Sequence, residues 1–306
     1  MDHKTYLFFD CECANCFDGI GKICSLGYVL ADDELNIIEQ EDLVMNPECD
    51  FDWYLFSPKN KCQLAYSKDY FRANPNFTSY YKKIKKLFTN GNTYVGGFAV
   101  ANDVGFVNSA CDRYYMDYIL YRAFDVENLA EKVFGCKKKL FEWAEFLECD
   151  TSILTSHKSV DDAVVTLMVF KKICEKLQKS PEEVLKENKD FFVNTEEVAQ
   201  AAEERQYKKE MTAKIKAYYN KHSPNPIRKK YQGQKFELSK KVFSDLDRAL
   251  NIAKRIYDGG GVIMERLKGA GNVVFLDDSI EPEKKASMEK KGLKIVLAED
   301  IEKINV

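Results

Sequence analysis

The stretch FFDCECAN, residues 8–15, sets Asp10 and Glu12 inside an apolar, cysteine-rich run patterned like a buried strand. Burying a carboxylate is costly unless a cation or hydrogen-bond donor accompanies it, so the fold must bring a partner to this strand. Side chains alternate along a strand, which puts Asp10 and Glu12 on one face, about 6–7 Å apart, and Cys11 and Cys13 on the other. Two carboxylates on one face suit hard divalent cations. The plainer alternative is a salt-bridged pair on an edge strand.

The surrounding pattern predicts a mixed α/β domain. TYLFF (5–9), KICSLGYVLAD (22–32) and IIEQEDLVMNP (37–47) read as successive strands of an antiparallel meander, separated by turns containing Gly, Asp and Asn. The order then alternates. Residues 77–89 have helical spacing, TYVGGFAV (93–100) reads as a buried strand, and 103–114, 140–150 and 161–178 read as amphipathic helices. This domain closes near residue 178. Residues 179–231 are highly charged and partly helical, with SPNPIRKKYQGQ breaking the helix, and read as a linker. From 232 to 306 a second, small α/β pattern follows: strand KFEL, helix SDLDRALNIAKRIYD, turn GGG, strands VIME and NVVFL, helix EPEKKASMEKKG and strand LKIVLAED.

Composition agrees with two domains, since 306 residues exceed what one compact core usually holds. A net charge of −3 supplies no global attraction to nucleic acid, so such binding would need a local site or a metal. No apolar run reaches the ~18 residues of a membrane span, and we expect a soluble, cytoplasmic protein. All 10 cysteines lie between Cys11 and Cys174, and free thiols are the expectation. Cys11, Cys13 and Cys16 lack the second ligand pair of a structural zinc site, and with no secretion signal expected, disulfides are not expected either.

Three further residues join the first pair. Asp103 follows the strand TYVGGFAVAN, where it could also be an ordinary helix cap. His157, one of 3 histidines, lies in the polar loop LTSHKSV, five residues before Asp162 at a helix start. A lone loop histidine is usually inert. In combination, FFDCECAN, GGFAVANDVGFV and SHKSVDDAV resemble the three motifs of the DnaQ-like DEDDh exonucleases, which include the epsilon-type chains of bacterial DNA polymerase III. The resemblance spans residues 4–178 and extends to KICSLGYVLAD as the family's second strand and YYMDYILYRAF as the segment after its second motif.

The resemblance implies an RNase H-like fold that hydrolyses phosphodiester bonds from the 3′ end with two Mg²⁺ or Mn²⁺ ions. Asp10, Glu12, Asp103 and Asp162 would hold the metals, and His157 would be the general base. The family's spacing selects Asp162 over Asp161, which would then point elsewhere, most simply as a helix cap. Many members carry His-Asn after the glycine of the second motif and Phe before its Asp, where this chain has Phe98-Ala99 and Asn102. That departure concerns the seating of the 3′ end. Phe9, Ala14 and Phe98 are candidates to pack on the terminal base or sugar, with a core role as the alternative for each.

Residues 232–306 resemble a BRCT domain, most specifically in the turn Gly259–Gly261 after an amphipathic helix and in the final strand GLKIV; the family's late tryptophan is absent. In that family a Ser or Thr ending the first strand and a Lys opening the second helix bind phosphate. The matching positions are Ser239 and Lys284 or Lys285, against the alternative of a helix cap and a solvated lysine face. The expected activity is a 3′-to-5′ exonuclease acting on DNA in proofreading or repair, with the second domain holding a protein partner or a DNA end. An RNA-trimming exonuclease would use the same five residues, and a non-catalytic nucleic-acid or scaffold-binding protein is the rival from another class.

Overall fold

The computed structural model describes residues 4–17, 20–57, 59, 63–221, 224, 227, 230–263, 273–279, 281–290 and 293–303. The chain forms two compact units that divide between Ala202 and Glu203.

The first unit is built on a six-stranded mixed sheet in the order β3-β2-β1-β4-β5-β6. Its strands are β1 (Thr5–Phe17), β2 (Ile20–Ala31), β3 (Ile37–Val44), β4 (Thr93–Gly97), β5 (Arg122–Asp125) and β6 (Phe192–Asn194). β1, β2 and β3 pair antiparallel as the expected meander, while β4 runs parallel to both β1 and β5. Alternation along β1 divides the core in two. Tyr6 and Phe8 enter one apolar cluster with Trp143 and Phe170; Leu7, Phe9 and Cys11 enter another with Ile84, Val95 and Val104. Asp10 and Glu12 continue the row of Phe8, so the carboxylates emerge on the first of these faces.

That face is covered by α4 (Val126–Phe134), α5 (Leu140–Phe146) and α6 (Ser159–Leu177). The other is covered by α2 (Phe77–Phe88) and α3 (Ala101–Arg113). Between β3 and α2 the chain forms a short 3₁₀ turn at Trp53–Phe56 and helix α1 (Lys68–Ala73), which bury Phe51, Leu55 and Phe71 around Ala14 and Cys24.

The unit extends past residue 178, where the pattern placed its end. Helix α7 (Pro181–Glu187) buries Val184 and Leu185 in the first cluster, and β6 pairs antiparallel with β5. These pieces are short and charged at their ends, so their local composition resembles a linker although their few apolar residues are core. Helix α8 (Thr195–Lys221) follows.

The second unit carries a four-stranded, all-parallel sheet in the order β10-β9-β7-β8. The strands are β7 (Lys235–Leu238), β8 (Val262–Ile263), β9 (Val273–Asp277) and β10 (Lys294–Leu297). The helices are α9 (Lys240–Ser244), α10 (Leu246–Asp258), α11 (Pro282–Glu289) and α12 (Ala298–Glu302). The predicted strand VIME runs partly outside the described residues, as do the start of NVVFL and the end of the helix after it. The last predicted strand is corrected: it ends at Leu297, and Ala298–Glu302 is helical because Ala298 and Ile301 turn into the core and Glu299 and Asp300 suit a helix N-terminus. At the glycine turn, Gly260 has φ +85°, and a Cβ on Gly259 would lie 2.2 Å from the Tyr231 ring.

Candidate active site

The site is assembled around one row of the sheet. Asp10 on β1 stands opposite Gly27 on β2, and Gly27 stands opposite Asp42 on β3. The first turn of α6 lies directly on Gly27: a Cβ there would fall 1.9 Å from Val160 N and 2.1 Å from Ser159 C. Glycine therefore lets a helix backbone touch the strand, which brings α6 within reach of the β1 carboxylates.

Asp162, in the first turn of α6, is buried, as is Asp103 in the first turn of α3. Asp103 Oδ1 accepts the backbone N–H of Cys11, at 3.0 Å. Asp162 Oδ2 accepts the N–H of His157, at 3.2 Å, while its Oδ1 is buried without a hydrogen-bond partner. His157 adopts φ +63°, a conformation unusual for a non-glycine residue, and its Nδ1 lies 3.3 Å from Glu12 Oε1. One ligand atom each from Glu12, His157 and Asp162 lies within 4.8 Å of the other two.

Electrostatics set these groups apart from ordinary surface carboxylates. Burial, and then the charges of Asp103, Asp162 and Glu12, hold the Asp10 carboxyl well above the usual range. Burial also raises Asp103, against the opposing N–H of Cys11, and pushes Asp162 up to about 7, with Glu12 as the next cause. The bond to Glu12 raises His157, opposed by burial. Among the described residues no lysine or arginine forms an ion pair with Asp10, Glu12, Asp103 or Asp162. An all-oxygen set of crowded, partly desolvated carboxylates, one with an orphaned oxygen, fits hard divalent cations.

Asp161 points away from this group, as the spacing implied. Instead of capping its own helix it accepts the N–H of Thr155 in the preceding loop, at 2.9 Å, and pairs with Lys158 at 3.1 Å. Two proposed substrate contacts are corrected. Phe9 and Ala14 are both 0% exposed: Phe9 packs at a tilt on Phe88 and edge-on to Tyr121, and Ala14 shares a buried cluster with Phe51 and Phe71. Neither side chain offers a face to a base. Phe98 is half-buried beside the first core cluster.

In the second unit, Ser239 accepts the N–H of Val242 as a helix cap and donates to Asp277 Oδ1 at 2.8 Å. An anion at that hydroxyl would face the Asp277 carboxylate, so the expected phosphate site is not supported there. Lys285 is exposed, and the side chain of Lys284 lies outside the described residues. The nine described cysteines are free thiols.

The sequence reading missed Asp42, Ser25 and Ser159, which adjoin the site. Asp42 in EQEDLV resembles any solvated acid on an edge strand. Gly27, inside the apolar run SLGYVL, was the available signal, because an isolated strand glycine often marks a close backbone approach.

No family model matches the chain, and no curated protein matches it. Solved structures do. A full-length 3′-exonuclease crystal structure aligns at TM-score 0.50 and 15% identity, over 58% of this chain and 84% of that one. That part of the chain shares the fold of that 3′-exonuclease. The nuclease domain of 3′hExo, a DEDDh family member bound to rAMP, aligns at TM-score 0.49 and 16% identity over 56% of this chain and 92% of that one. Exonuclease I aligns at TM-score 0.45 and 17% identity over 56% of this chain, which spans only 41% of the exonuclease I length. No helix among the described residues is long and apolar enough to cross a membrane.

Proposed function

We propose that the first unit is a metal-dependent 3′-to-5′ exonuclease acting on DNA ends, in proofreading or repair as epsilon-type chains do, and that the second is a BRCT-like recruitment module. The observation that carries the first reading is the meeting of Glu12, His157 and Asp162 from a strand, a loop and a helix beside Asp10 and Asp103. The choice of DNA rests on the resemblance to epsilon-type chains, since the five motif residues would serve DNA and RNA alike. For the second unit, the four-stranded parallel sheet with its helices and the close-packed Gly259–Gly261 turn support the reading.

Asp10, Glu12, Asp103 and Asp162 would hold two Mg²⁺ or Mn²⁺ ions, which when bound stabilise charge on the attacking and leaving oxygens. His157, in its neutral form, takes a proton from the attacking water as that oxygen bonds to phosphorus and the 3′ oxygen of the preceding nucleotide departs. Glu12 orients the imidazole through Nδ1. The N–H of His157 on Asp162 ties the base to the carboxylate set.

The test is digestion of 3′- and 5′-labelled DNA and RNA oligonucleotides with Mg²⁺, Mn²⁺ or EDTA. Shortening from the 3′ end that requires metal is expected, lost in Asp10→Ala and reduced about 10²–10⁴-fold in His157→Ala. Faster trimming of RNA would reassign the substrate, and binding without shortening under any metal would point to a non-catalytic scaffold.

A further inference from the structure

The carboxylate of Asp42 lies outside the proposed catalytic set, yet it grips the start of α6, which carries Asp162 and directly follows the loop that carries His157. Asp42 Oδ1 accepts the hydroxyls of Ser25, at 2.7 Å, and Ser159, at 2.9 Å, and the two serine oxygens lie against each other. Asp42 Oδ2 accepts the hydroxyl of Tyr66, at 2.8 Å. Ser159 is fully buried and opens α6, two residues after His157 and three before Asp162.

The register shows why this matters. Asp10, Gly27 and Asp42 form one row across three strands, and Glu12 stands opposite Ser25 two residues along on the same face. The first turn of α6 sits over Gly27, in the middle of that row. On one side His157 reaches Glu12, and on the other Ser159 is held by Asp42 and Ser25. The later turns of α6 are fixed by Val165, Phe170 and Ile173 in the core, while over the flat surface of Gly27 its first turn has the polar clamp on one side and the His157–Glu12 contact on the other. Hydrogen bonds to a charged acceptor are the stronger, shorter kind suited to that task.

We propose that Asp42, acting through Ser159 and Ser25, is a positioning residue that sets the distance of Asp162 and His157 from Glu12, and thereby the affinity of the site for its cations. The proposal rests on the exonuclease reading for its effect on turnover, but not for its effect on metal binding.

The experiment compares wild type with Asp42→Asn, Asp42→Ala and Ser159→Ala in three measurements: Mn²⁺ binding followed by electron paramagnetic resonance without nucleic acid, the Mg²⁺ dependence of 3′-end trimming, and thermal unfolding in EDTA. Asp42→Ala should raise the Mn²⁺ concentration at half-saturation about tenfold, the scale on which partners behind metal ligands act. The Mg²⁺ requirement for trimming should rise in parallel, with the KM for the oligonucleotide little changed. Asp42→Asn, which keeps one acceptor oxygen, should recover most of the affinity. Should Asp42→Ala fail to fold, Ser159→Ala decides by the same reading, with a several-fold rise expected. Unchanged Mn²⁺ binding in variants that merely unfold at lower temperature would overturn the proposal, as would a wild type that binds no Mn²⁺. A wild type that binds Mn²⁺ but trims nothing would sink the exonuclease reading alone, and the comparison of Mn²⁺ affinities would still judge Asp42.

Discussion

At the scale of single residues, adjacent aspartates are given opposite tasks by where a helix begins. Asp162→Ala should remove metal-dependent turnover, whereas Asp161→Ala should cost about 1–3 kcal/mol of stability through the lost Thr155 and Lys158 contacts and leave turnover within a few-fold. Paired unfolding and digestion assays separate the two. The raised carboxyls also make a pH prediction. Burial pushes Asp162 up to about 7 in the folded protein from an ordinary value of 3.8, so across that window the folded state binds more protons than the unfolded one. Stability of the metal-free protein therefore falls as pH rises through the window. His157 adds in the same direction: its bond to Glu12 stabilises fully below the unfolded value of 6.5 and is lost as pH climbs through the raised folded value. The Tm in EDTA should thus be lower at about pH 8 than at about pH 5.5, with Mg²⁺ reversing the loss at the higher pH. A Tm that rises with pH in EDTA would contradict the crowded, buried carboxylate set.

At the scale of elements, contact between α6 and β2 decides whether the residues of the site meet. Gly27→Ala puts a methyl group within about 2 Å of the Ser159–Val160 backbone, which must retreat. We expect a cost of about 1–3 kcal/mol from overpacking. Turnover should fall by more than that stability loss explains, because the retreat carries Asp162 and His157 away from Glu12. Thermal unfolding and initial rates, measured on one preparation, check both parts. The long elements were legible in the sequence: β1, β2, β3, α2, α3 and α6 announce themselves by apolar periodicity. β5 and β6, of four and three residues, did not, since such pieces are too short to show a period and become strands only through pairing with each other and with β4.

At the scale of the whole molecule, the division after Ala202 predicts which fragments stand alone. A fragment of residues 1–202 should unfold cooperatively and keep the turnover of the full chain on short oligonucleotides. One ending at residue 178 should be less stable, since it loses β6 and the burial of Val184 and Leu185, worth about 3–6 kcal/mol for the two side chains. Equal midpoints in urea for the two fragments would contradict the placement of residues 181–194 in the core. Taken alone, the amino-acid sequence determined a two-part α/β chain, the strand that presents Asp10 and Glu12 together, and the order of the motif residues. Those properties are written in side-chain alternation and in spacing along the chain. Only the tertiary structure decided that His157 lies against Glu12, that Phe9 and Ala14 are core, and that Asp42 holds the helix bearing Asp162. Each depends on residues far apart in sequence being brought to one row of one sheet, and local periodicity carries no information about which strands will stand side by side.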